Sequence, residues 1–193
     1  MRPRELSVAA VALLVLTACG PIAQQEPASS SSQSLAALRF GAPPITRPRD
    51  LGILDSHPCN SLFSKSQLTA LDYEPNFSQR TTIIGLEECT WQGRSPEKSL
   101  SVSISPSRDL FVGAYRARTF AVMIPLQVAG LPALSEKTAP DATICTTTVG
   151  VADGQALEFT TVIDELAGPD PIIDPCELGG HAAAEAISNL PVV

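Results

Sequence analysis

From Ser99 to Ser105 the chain alternates without a break, with Leu100, Val102 and Ile104 on one side and serines on the other. A period of two residues predicts a strand with one apolar and one wet face. Residues Ala121 to Gly130 repeat that period at Val122, Ile124, Leu126 and Val128, but with Pro125 among them. Proline has no N–H to give to a ladder, so this strand is expected at an edge or a bend. Thr143 to Ala152 and Ala156 to Ile163 flank Asp153-Gly154, a strong hairpin signal. Loop length sets the register. A two-residue loop would place Val149 opposite Glu158, whereas a loop of Ala152, Asp153 and Gly154 places Val149 opposite Leu157 and Thr147 opposite Phe159. The second is expected, with Gly154 left-handed in a bulge, because it leaves Thr146, Thr148, Glu158 and Thr160 together on a wet face.

Three segments carry helix-start signals. Ser64-Lys65-Ser66-Gln67 forms a capping box ahead of Leu68 and Leu71, and Ser107 is placed to cap a helix bearing Leu110, Phe111, Ala114 and Tyr115. In the third, Asp174 is the cap, Pro175 lies in the first turn and Glu177 at the third position. Leu178, Ala182, Ala183, Ala186, Ile187 and Leu190 then form an apolar stripe that ends before Pro191. Gly179-Gly180 weakens its first turns by up to about 1 kcal/mol each relative to alanine.

The start of the chain has a different pattern. Met1-Arg2-Pro3-Arg4 is basic, Val8 through Leu16 is an apolar run too short to span a bilayer, and Leu16-Thr17-Ala18-Cys19 closes it. That tetrad looks like a bacterial lipobox. Residues 1–18 are expected to be removed as a signal peptide, leaving Cys19 first in the mature chain with a diacylated thiol, palmitate being one such acyl group, and usually an acylated amine. Stable membrane anchoring begins at two such chains. From Gly20 to about Asp50 the composition, with Gln24-Gln25, Ser29 to Ser32 and Pro43-Pro44, buries too little apolar surface to offset chain entropy and predicts a flexible linker. Ser34 to Phe40 is an apolar patch within it. Residues 51–193 are the length of one domain with a single core.

The precursor has a formal net charge of -7, and losing Arg2, Arg4 and Glu5 makes it slightly more acidic. Nucleic acid is therefore excluded as an expected partner. With Cys19 assigned to lipid, Cys59, Cys89, Cys145 and Cys176 remain, an even set suited to an oxidising compartment. Four cysteines allow three connectivities. A Pro-Cys pair opens the first helical region at Pro58-Cys59 and the last at Pro175-Cys176. Pairing Cys59 with Cys89 and Cys145 with Cys176 ties each helix start to a strand across matched separations, and is preferred to the crossed alternatives. A zinc site is disfavoured because no Cys-x-x-Cys is present.

His57-Pro58-Cys59-Asn60-Ser61-Leu62, Cys89-Thr90-Trp91, Cys145 in a strand and Asp174-Pro175-Cys176 opening a terminal helix occur in an order that resembles the actinobacterial lipoproteins catalogued as domain of unknown function 3558. The resemblance covers about Leu51 to Pro191. It implies an envelope lipoprotein with a small disulfide-stapled mixed domain and no assigned reaction. His57 stands where that family usually has aspartate, a departure that bears on the first helix cap and not on the fold.

No catalytic constellation emerges. Ser95-Pro96-Glu97-Lys98 fits the Ser-x-x-Lys of penicillin-binding enzymes, but Ser-Asp-Asn and Lys-Thr-Gly are missing. A cysteine nucleophile needs a free thiolate beside a histidine, and the four thiols are better explained as pairs. His181, with Glu177 and Glu185 four residues to either side, is expected on a solvated helix face, and Trp91 as a core plug beside a disulfide. No metal and no cofactor is expected. The expected fold is α+β, an antiparallel sheet with helices mainly on one face and two disulfides. The expected function is noncatalytic binding or scaffolding at the outer face of the cell membrane, toward an envelope protein or polymer. The rivals are an envelope hydrolase, which a deep pocket collecting ionisable residues would favour, and an extracytoplasmic sensor subunit.

Overall fold

A computed structural model describes residues 38–54, 56–76, 78–83, 85–95, 98–163 and 174–193. The signal segment, Cys19, the linker as far as residue 37, and Pro96-Glu97 lie outside the described residues. Seven strands, β1 (Gln79–Ile83), β2 (Leu86–Gln92), β3 (Lys98–Ser105), β4 (Val122–Val128), β5 (Leu131–Lys137), β6 (Ile144–Ala152) and β7 (Gln155–Ile163), form one antiparallel sheet in the order β1-β2-β3-β7-β6-β5-β4. It consists of two meanders, β1 to β3 and β4 to β7, joined by the β3–β7 ladder. Among the described residues four α-helices accompany it: α1 (Pro58–Ser61), α2 (Lys65–Ala70), α3 (Leu110–Ala117) and α4 (Pro175–Ser188).

The main core lies on the sheet face that the alternating pattern of β3 marks as apolar. Leu100, Val102 and Ile104 meet Trp91, Cys89, Leu157, Phe159 and Val149 from neighbouring strands. Leu178, Ala182, Ala183, Ala186 and Ile187 of α4 close over them. Gly179 of α4 has a packing reason: a Cβ there would stand 3.0 Å from the Thr147 hydroxyl, so the helix approaches the sheet closely. The Asp174 carboxylate accepts from the Cys176 N–H at 2.7 Å as the cap, and the Ser64–Gln67 capping box forms in full at α2. His57 makes no side-chain cap bond at α1. Cys59 bonds to Cys89 and Cys145 to Cys176, each tying a helix to a strand. The fold class is α+β, with most helices on one face and two disulfides.

Three local expectations are corrected. The β6–β7 register does place Thr147 opposite Phe159 and Val149 opposite Leu157. The hairpin nonetheless closes on Ala152 opposite Gln155, as a two-residue loop would, and the ladder shifts between Gly150 and Ala152. Val151 is thus the extra residue, and its carbonyl accepts from the Arg49 N–H at 2.8 Å instead. Gly154 is left-handed, at φ 73°. The cap of α3 is Asp109, which accepts from the Val112 N–H at 2.9 Å, and not Ser107. Finally, the face bearing Thr146, Thr148, Glu158 and Thr160 is not wet throughout: α3 crosses it as the chain runs from β3 to the far edge strand β4.

A second, smaller core forms under that crossing from Phe111, Tyr115, Leu134, Ala156 and Ala42. Phe111 lies over Gly150, where a Cβ would come within 2.8 Å of its ring. The packed unit also begins before Leu51. Ala42 is buried, Ile45 packs against the main core, and Arg49 bridges to Val192, so residues that composition assigns to the linker lie on the domain. Pro125 falls on β4, at one edge of the sheet, where a missing N–H costs no ladder bond on the open side.

Candidate functional site

The residues singled out in the sequence do not converge. Lys98 turns away from the Ser-x-x-Lys arrangement: its amine donates to the Leu71 carbonyl at 2.7 Å, pairs with Asp72 at 3.6 Å and stands 4.6 Å from the centre of the Tyr73 ring. Burial lowers its pKa, against the raising effect of Asp72. Burial likewise pushes the Tyr73 phenol well up, with Asp72 adding to it. His181 and Glu177 are exposed, and Glu185 accepts from the Gln67 amide of α2 at 2.8 Å. Trp91 is buried, with the Phe63 ring edge-on at 5.1 Å, next but one to a disulfide cysteine. These residues build the core and its edges.

The candidate site is the cleft between α3 and the second face of the sheet, about 580 Å³ in volume, within the range of small-molecule pockets. Much of its wall is apolar, with Leu38 and Phe40 from the N-terminal segment, Leu110 and Val112 from α3, and Phe120 beyond it, while Asp109 and Thr119 flank α3. Two carboxylates, Glu136 of β5 and Glu158 of β7, line the same space. They come together because β6 alone separates their strands and both side chains point to the α3 side. Thr148 lies opposite Glu158, and Thr146 opposite Glu136.

Both glutamates are held above the usual carboxylate range. For Glu136 the cause is burial, then repulsion from Glu158. For Glu158 it is burial, opposed by a bond from the Thr148 hydroxyl and reinforced by the charge of Glu88 across β3. The Thr148 bond is long, at 3.4 Å. Glu136 is 4% exposed, and among the described residues it has no hydrogen-bond or ion-pair partner. Tyr115, on the inner side of α3, is raised by burial and by the charge of Glu136. Arg108 and Arg116 line the rim, yet neither forms an ion pair with either glutamate among the described residues. The Arg116 guanidinium instead lies over the Phe40 ring, 5.8 Å from its centre.

Such a site can hold a ligand with an apolar body and a polar head, and can exchange protons with it. Neither histidine, cysteine, serine nor lysine lines it among the described residues. Sequence reasoning placed Glu158 on a wet face and passed over Glu136. One signal was available: Gly150 and Ala156 fall opposite each other on the polar side of the hairpin, a gap that a neighbouring side chain has to fill.

No curated protein and no solved structure matches this chain. The family model described as Protein of unknown function (DUF3558) matches residues 14–189, nearly the whole of it, and spans the two disulfides, the sheet and the α3 cleft. The chain belongs to the DUF3558 family.

Proposed function

We propose that this protein is a lipid-anchored envelope component, tethered through Cys19 to the outer face of the cell membrane, whose domain binds a ligand in the α3 cleft without transforming it. The lipobox-like Leu16 to Cys19 and the paired thiols, which suit an oxidising compartment, support the address. The observation that carries noncatalytic binding is the lining of the cleft: Leu38, Phe40, Leu110, Val112 and Phe120 surround the two carboxylates, and among the described residues neither histidine, cysteine, serine nor lysine stands beside them. Apolar walls fit retention of a ligand better than attack on it.

A second reading, an envelope hydrolase, rests on the same two carboxylates in one cleft. The two readings separate in a direct experiment. Gly113 borders the cleft, and a Cβ there meets nothing within 4 Å, so Gly113→Trp fills the space from α3 without a backbone clash. Native mass spectrometry of the chain isolated from its own envelope should detect a bound small molecule that Gly113→Trp removes. Absence of any cleft-dependent adduct counts against binding. Turnover of peptidoglycan, peptides or esters that is lost in Glu136→Gln or Glu158→Gln, with the fold intact, replaces binding by hydrolysis.

A further inference from the structure

We infer that the ligand of the α3 cleft is an amphipathic organic cation, an alkyl- or arylalkylammonium whose head meets Glu136 and Glu158 and whose apolar body lies along Leu110, Val112 and Phe120. This rests on the reading of the cleft as a binding site and adds the chemistry of its occupant. Glu136 is the informative residue. Glu136 is 4% exposed, has no hydrogen-bond or ion-pair partner among the described residues, and reaches solvent only through the cleft that its side chain lines, where a poorly hydrated carboxylate without a partner is costly. Glu158 has one long bond from Thr148. The cleft therefore presents two carboxylates that pair with no cation among the described residues, although Arg108 and Arg116 stand at its rim.

Of the chain's own charged groups around the cleft, none pairs with Glu136 or Glu158 among the described residues. Arg116 lies over Phe40, and Arg39 donates to the carbonyls of Ala42 and Pro43 and pairs with Asp153. Arg108 is exposed at the rim, and Asp109 is held by its cap bond to Val112. Tyr115 of α3 and Glu88 of β2 are the remaining titratable groups that bear on the two glutamates. The segment leading into Leu38 cannot supply the charge either, since residues 19–37 contain neither lysine nor arginine. A bare metal ion fits poorly: among the described residues no group of three or more His, Cys, Asp or Glu side chains converges, and hard cations need several oxygen ligands. Apolar walls beside a carboxylate pair fit a cation that carries its own hydrocarbon, and N–H donors to carboxylates form the stronger class of hydrogen bond.

The test uses the mature chain and three probes of one shape: 4-phenylbutylamine, 4-phenyl-1-butanol and 4-phenylbutyrate, titrated by calorimetry at about pH 7.5, where the amine is charged. The amine should bind at least about tenfold tighter than the alcohol, and the carboxylate weakest of the three. The advantage of the amine over the alcohol should disappear in the Glu136→Gln/Glu158→Gln double variant, which keeps its circular dichroism spectrum. It should also shrink as pH falls and the two glutamates take up protons. Equal binding of amine and alcohol, or a preference that survives the double substitution, overturns the cation and leaves the cleft reading standing. If the alcohol does not bind either, or binds equally well to Gly113→Trp, both readings fall.

Discussion

Glu136 and Glu158 show what a polar residue in an alternating strand can conceal. In the unfolded chain their carboxyls titrate near about pH 4.3; in the fold both are raised, by burial first and by neighbouring carboxylates as well. The folded state therefore binds more protons than the unfolded state between those values. Their contribution to stability is fully present below the unfolded pKa and is lost as pH rises through the folded one. Glu136→Gln and Glu158→Gln should each raise the melting temperature at about pH 8, with a gain that vanishes near about pH 4. Thermal unfolding at the two pH values checks this, and an equal gain at both would contradict the cause given. Gly150 makes the opposite point, that a missing side chain can hold a helix in place. Filling it with Gly150→Val drives a branched side chain into the Phe111 ring and should cost about 1–3 kcal/mol in urea unfolding, as overpacking does.

At the scale of elements, legibility followed the strength of the local signal. The uninterrupted alternation of β3 and the Asp174-Pro175 start of α4 are each decided by a few adjacent residues and formed where expected, whereas the Asp153-Gly154 hairpin formed with the expected pairing of Val149 and Leu157 but a shorter loop. The start of α3 was read two residues early because Ser107 and Asp109 are both good caps, and only the geometry of the turn selects between them. The Ser105 hydroxyl accepts from the Arg108 N–H at 3.2 Å, turning the chain so that Asp109 meets the helix. Asp109→Ala should therefore cost about 1 kcal/mol, whereas Ser107→Ala should stay within about 0.5 kcal/mol, both read from denaturation midpoints. The strand β5 escaped pattern reading altogether. Every residue from Leu131 to Lys137 is buried, so its two faces do not alternate in polarity. The candidate site was hidden for the related reason that Thr148 and Glu158, which face a helix, have the same spacing as residues that face water.

For the whole molecule, the anchor proposal makes a separable prediction. Cys19→Ser should release the chain from the membrane fraction and block lipoprotein processing, as assayed by detergent partition and N-terminal analysis. A processed chain that still enters the detergent phase would exclude the anchor. The domain itself is two meanders joined along β3 and β7, with the Cys59–Cys89 bond serving the first and Cys145–Cys176 tying the second to α4. Neither bond crosses the seam. Each meander consists of neighbouring hairpins whose closure is local and fast, whereas the β3–β7 ladder needs strands separated by α3 and three further strands, and such non-local pairing is slow. The expected consequence is kinetic: the covalent links should mature independently of one another, and the slow step of folding should be a docking of the two meanders that oxidation does not hasten.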